Sequence, residues 1–194
     1  MTDAPVWLTA DEHRTLTAVF DRLLPDDGVC PGAGQAGGAD YVDGLLGAFS
    51  FDPPRLFAGG PFSGRKGGEA GFDRWLEIGA LEELAWRTRI EGSQGRPERE
   101  FNGPVTGWQE QYRAGLAALG ADFAEVDGDE QKRRLKQDAD PTWRDLLFEH
   151  ACEALYGDPV YGGNRDGRAW AAIAFDGDVQ PRGWTDQEVT HPNG

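Results

Sequence analysis

Cysteine is nearly missing from this chain: Cys30 and Cys152 are the only two among 194 residues. Two cysteines so far apart make neither a disulfide framework nor a local redox or metal motif. They read as small buried hydrophobes, or as a single disulfide if the protein is exported. Lysine is as scarce, with Lys66, Lys132 and Lys136 set against 16 arginines. That usage fits a high-GC or salt-adapted coding background better than it fits bidentate pairing at an interface. Serine occurs only at positions 50, 63 and 93, never inside Gly-x-Ser-x-Gly, which removes the nucleophile elbow. No apolar run approaches 18 residues, so no membrane span is expected. The opening Met1 to Trp7 has no basic stretch followed by an apolar core, so no signal peptide is expected either. The location expected from that start is the cytoplasm, with co-export beside a signal-bearing partner as the other route. Positive charge is also short: 19 basic against 34 acidic residues give a formal charge of −15. Such a surface repels phosphate backbones and anionic lipid, which disfavours nucleic-acid and membrane-surface binding.

What the chain does have is glycine and tryptophan. Its 28 glycines are about twice the usual share of roughly 7%. Seven tryptophans argue against disorder, because disordered segments are poor in aromatics. The expected class is therefore all-α: a single helical domain over 1–194 with long Gly-rich loops and short flexible termini.

Thr9 and Glu12 stand at capping-box spacing, and Leu16, Val19, Phe20, Leu23 and Leu24 then form one helical face that Pro25 ends. Residues 28–38 read as an irregular, flexible Gly-rich loop. Tyr41, Val42, Leu45, Leu46 and Phe49 predict a second helix, and Asp52-Pro53 a third, short one with proline at its first position. Residues 58–71 hold six glycines and read as loop; Asp73 to Ile90 read as helix, with a break at Gly79. After a polar connection from Glu91 to Pro104, helix resumes near Val105 through Trp108, Tyr112, Leu116 and Leu119. Asp127 with Glu130 caps a charged helix, and Asp140-Pro141 opens one carrying Trp143, Leu146, Leu147, His150, Ala151 and Ala154, closed by Gly157. A turn-rich stretch from Asp158 to Asp166 leads to a short helix from Trp170 to Ala174, and Thr185 with Glu188 repeats the capping spacing. No stretch alternates with period 2 between hairpin turns.

The chemical motifs fail on context. Gly32-Ala33-Gly34-Gln35-Ala36-Gly37 spells the dinucleotide fingerprint but follows a helix rather than a strand. Gly60 to Lys66 lacks the Gly-Lys-Ser/Thr ending of a phosphate loop. His150 and Glu153 make one ligand-spaced pair with no second pair, so His150 reads as a core or interface histidine bonded to a backbone carbonyl. Neither a catalytic residue, a metal site nor a cofactor site is assigned to this chain. Two stretches read as recognition surfaces instead, since both join aromatics and Arg to Gly and Asn: Trp86 to Trp108 and Asp158 to Trp170. The interface candidates in them are Trp86, Arg89, Trp108, Asp158, Tyr161, Asn164, Arg165 and Trp170.

The block Asp158-Pro-Val-Tyr-Gly-Gly-Asn-Arg-Asp166 carries a family resemblance, together with Trp170, Phe175-Asp-Gly-Asp and Pro181-Arg-Gly183. It resembles the C-terminal signature of the gluconate 2-dehydrogenase subunit 3 family. The Leu8 to Pro25 opening, the segment 86–95 and Trp108–Leu119 are similar as well, so the likeness spans roughly 6–189. That resemblance implies a non-catalytic small subunit that binds and helps mature a large, FAD-bearing subunit of the glucose-methanol-choline oxidoreductase type. The large subunit would oxidise a sugar or sugar acid, and some such complexes add a cytochrome c subunit. The twin-arginine signal of many members is not in this sequence. Two other function classes compete: a small stand-alone enzyme using His150, and a carbohydrate-binding module.

Overall fold

The computed structural model describes residues 5–59 and 74–175. Seven α-helices carry the fold among them. They are α1 (Ala10–Leu23), α2 (Gly38–Leu46), α3 (Ala80–Glu91), α4 (Trp108–Leu119), α5 (Gly128–Gln137), α6 (Pro141–Tyr156) and α7 (Arg168–Ala172). Short side chains at the helix starts do the local work. The Thr9 hydroxyl accepts from the Glu12 amide at 3.2 Å while the Glu12 carboxylate accepts from the Thr9 amide at 2.8 Å. Asp127 accepts from the amides of Asp129 and Glu130, and Asp140 from those of Thr142 and Trp143, with Pro141 at the first helical position.

Helix α1 lies at the centre and packs on α2, α4, α5 and α6. Leu16, Val19 and Phe20 of α1 meet Val42 and Leu46 of α2, Tyr112 and Leu119 of α4, and Trp143 and Leu147 of α6 in one apolar core. Gly115 lets α4 approach α6 closely, since a Cβ there would collide with the Trp143 indole. The N-terminal strap is tied down by one carboxylate: Asp43 of α2 accepts from the amides of Val6, Trp7 and Leu8 at 2.6–2.8 Å. No helix among the described residues is long and apolar enough to cross a membrane.

Four local expectations change. No helix opens at Asp52-Pro53; the peptide before Pro53 is cis and residues 51–57 run as bends and turns. Pro54 explains part of this, because a residue preceding proline is pushed out of the helical region. Helix α3 starts at Ala80, not near Asp73, with Gly79 as its cap and Glu82 reaching back to the Gly79 amide. Upstream of it, Arg74–Trp75 (β2) pairs antiparallel with Ala58–Gly59 (β1), a two-residue ladder that leaves the fold all-α. Last, the Gly-rich stretch after α1 is packed rather than flexible. Pro31 to Gly34 and Ala36 to Ala39 are buried, and a Cβ on Gly34 would collide with the backbone of α1 at Thr17. The Gly60 to Lys66 motif, the Thr185/Glu188 cap, Pro181–Gly183, and the last residues of both termini lie outside the described residues.

Candidate recognition groove

The block 158–166 has few backbone bonds of its own, so side chains hold it. Asp158 accepts from the Val160 amide and starts a 3-10 turn over Pro159–Tyr161. Gly162 and Asn164 then take left-handed backbone conformations (φ +99° and +43°) that turn the chain back on α6. Asn164 is fully buried. Its amide donates to the Gly157 carbonyl and its carbonyl accepts from the Ala169 amide, both at 3.0 Å, so one side chain closes the loop between α6 and α7. Gly163 lies against the Ala154 backbone with no room for a Cβ. The Arg165 amide donates to the Ala36 carbonyl, and its guanidinium pairs with Asp40, which also meets His13 at 2.8 Å. Burial works against ionisation of Asp40, but the His13 hydrogen bond and the Arg165 charge outweigh it and hold the carboxyl below its ordinary range.

Fixed in this way, the block forms one wall of an open groove of about 770 Å³. The other walls come from Tyr41 and Leu45 of α2, Arg55 to Phe57, Trp75 of β2 and Trp86 of α3. Tyr161 ties the walls together: its ring meets Trp75 edge-on at 5.7 Å and its hydroxyl accepts from the Ala58 amide at 3.2 Å. The Tyr41 hydroxyl donates to Glu153 at 2.7 Å, and burial together with that carboxylate raises its pKa, so it stays protonated.

Behind the groove runs a chain of rings into the core. Phe57 packs on Trp86 at 6.0 Å, Trp86 on Trp108 at 6.3 Å, and Trp108 on His150 at 4.8 Å, each edge-on. Arg89 lies over both indoles, 5.1 Å from the Trp86 ring and 5.6 Å from that of Trp108. His150 is buried and stacks on Tyr112, whose hydroxyl sits 2.9 Å from Nδ1. Its partner is thus a tyrosine hydroxyl and not a backbone carbonyl. Burial lowers the His150 pKa to about 4, so at neutral pH the ring carries no charge.

Of the eight interface candidates, Trp86, Asp158, Tyr161 and Arg165 line the groove. Trp108 and Arg89 back it from α4 and α3. Asn164 and Trp170 are turned inward instead; Trp170 is 8% exposed and its indole N–H donates to the Tyr156 carbonyl at 2.6 Å. The structure adds Tyr41, Arg55, Phe57 and Trp75; the pattern of residues placed Tyr41 and Trp75 on helix faces and Arg55 and Phe57 in the short helix expected after Asp52. Among the described residues no three His, Cys, Asp or Glu side chains gather into a metal-binding group, and both cysteines are free thiols.

The sequence from residue 10 to 177 matches the family described as gluconate 2-dehydrogenase subunit 3. The chain belongs to that family. No curated protein and no solved structure matches it. The family's name is that of a subunit of a multi-subunit dehydrogenase. The match includes the whole of the groove wall from Asp158 to Asp166 and both helices of the Trp86–Trp108 pair.

Proposed function

We propose that this chain is the non-catalytic small subunit of an FAD-dependent sugar or sugar-acid dehydrogenase, and that it grips and helps mature the large flavin-bearing subunit. The observation that carries this reading is the groove. A family-signature block is wired by Asn164 and Arg165 so that Tyr161 meets Trp75, Tyr41 and Trp86 around one open concavity. Aromatic rings that are half-buried in the free chain and bracketed by Arg55 and Arg165 are the residue types that anchor protein interfaces. Covering their remaining apolar surface would favour association by about 25 cal/mol per Å², before the cost of lost motion. The acidic charge of −15 favours a more basic face on the partner and faster encounter at low salt.

FAD belongs to the partner in this reading, and the small chain contributes no reacting group. The test is co-expression with a glucose-methanol-choline type flavin oxidoreductase from the same genome, followed by size-exclusion chromatography with flavin absorbance. We expect one co-eluting complex and a large subunit that loses soluble flavoprotein when expressed alone. Tyr161→Ala with Trp75→Ala should weaken the complex at least tenfold while the helical circular-dichroism signal persists. A stable monomer that never co-elutes with the oxidoreductase, or that oxidises sugar unaided, overturns the assignment.

A further inference from the structure

The connection between α3 and α4 inverts the usual polarity of a surface loop. Its neck is closed where Gly92 and Gly107 touch backbone to backbone, with no room for a Cβ on either. The Ser93 amide donates to the Val105 carbonyl at 2.9 Å, and the Val105 amide to the Ser93 hydroxyl at 2.6 Å. Residues 92–107 are therefore a compact loop with joined ends. The loop is filled by a charged side chain. Arg99 is 5% exposed, pairs with Glu91 at 2.9 Å, donates to the Gly92 carbonyl at 3.0 Å, and leaves its Nε without a partner. Glu91 is in turn held by Arg87. Two residues on, Phe101 is 94% exposed, the most exposed large apolar side chain among the described residues.

Burying an arginine and exposing a phenylalanine is costly on both counts, and a buried charge or a bare aromatic carries more information than the reverse arrangement. The cost is offset if the wiring serves to hold Phe101 outward at a fixed position. A rigid aromatic presented without ordering cost is how a strong interface anchor is built. Glu100 directly precedes it and Glu98 stands three positions back; with Arg99 buried, Arg96 is the one exposed base on the loop, within a chain of net −15.

We propose that Phe101 is a preorganised docking knob that inserts into an apolar pocket rimmed by basic residues on the large subunit. This rests on the subunit reading above and adds a second contact, separate from the groove. Anionic lipid is repelled by the same acidic flank, and a bilayer would not need a loop locked at its neck.

The experiment uses the full chain and the co-expressed flavin oxidoreductase, with binding measured by biolayer interferometry for wild type, Phe101→Ser and Val29→Ser. Val29 is also exposed, at 75%, on the loop after α1, and serves as a control for general surface hydrophobicity. The knob predicts a loss of tenfold or more for Phe101→Ser, under twofold for Val29→Ser, and unchanged thermal unfolding of both free variants. Glu98→Lys with Glu100→Lys should slow association and flatten its salt dependence. Wild-type binding that Phe101→Ser leaves intact overturns the knob and leaves the subunit reading standing; absence of wild-type binding overturns both. Equal losses in the two serine variants, a wild-type self-association that Phe101→Ser abolishes, or wild-type sedimentation with anionic vesicles would each overturn the knob as well.

Discussion

The two stretches rich in aromatics and arginine use them in opposite directions. In 158–170 the signature residues divide: Asn164 staples the loop and Trp170 caps α6, both turned inward, while Asp158, Tyr161 and Arg165 line the groove. In 91–107 Arg99 turns inward, Arg96 stays exposed, and the lone phenylalanine turns out. The same composition thus builds a wall in one place and a knob in the other. The difference lies in what fills the loop interior. A neutral amide satisfies two backbone groups with nothing left over, whereas a guanidinium needs a carboxylate and leaves an N–H unmet.

The sharpest way to break this contrast is Asn164→Ala. The substitution leaves the Gly157 carbonyl and Ala169 amide without their partner inside the fold and puts alanine in a left-handed backbone conformation that asparagine tolerates better. We expect a loss of about 2–4 kcal/mol in urea unfolding, together with loss of partner binding, because the groove wall comes loose. Phe101→Ser, by contrast, should move stability by less than about 0.5 kcal/mol, as exposed positions do. If both variants unfold alike, wall and knob are not distinct devices.

Three helix starts were legible because their caps are local: Thr9, Asp127 and Asp140 each bond amides two or three residues away, whereas the same kind of signal at Asp52-Pro53 opened no helix. The core faces of α1, α4 and α6 were legible for the same kind of reason, since their apolar residues recur at helical spacing over three turns or more. The groove was not legible. It needs β1 and β2, and two residues per strand are too few to show alternation. Tyr41 and Leu45 share helix α2 with Val42 and Leu46, and only the packing against α1 and α6 decides that the second pair goes inside. Phe101 left one signal, an apolar residue between Glu100 and Asn102 with no periodic companion, which read as part of a polar connection.

His150 is the floor that both regions share, with Trp108 from the end of the loop on one side and Tyr41 of the groove on the other. Acid should loosen the two together. The native ring has a pKa of about 4, below the unfolded value of roughly 6.5, so below that value the unfolded chain takes up a proton that the native one refuses. Stability from this group is fully present above about pH 6.5 and is lost as pH falls toward 4, by about 3 kcal/mol in all. Urea midpoints from pH 7 to pH 4 measure it, and His150→Phe should remove most of that slope. A slope equal in both proteins would mean that carboxylates alone set the acid limit.

The smallest effects come from the two arginines, and here the contrast is most exacting. Arg165 pairs with Asp40 at the surface, half exposed, where ion pairs contribute roughly 0–1 kcal/mol. Arg165→Ala should therefore lower stability by less than about 1 kcal/mol, since the Arg165 amide still holds Ala36 and Asp40 still has His13. Arg99→Met removes a buried charge whose Nε is already unmet, while Glu91 keeps Arg87. The remaining cost is the Gly92 carbonyl left without its donor, about 1–3 kcal/mol, partly offset by the apolar methionine. The informative readout for Arg99→Met is binding rather than unfolding. If the guanidinium exists to aim Phe101, the variant should dissociate from the large subunit faster at unchanged helix content, and adding Phe101→Ser should then do almost no further harm, because both substitutions remove the same contact. Additive losses would mean that Arg99 supports the fold and Phe101 owes it nothing.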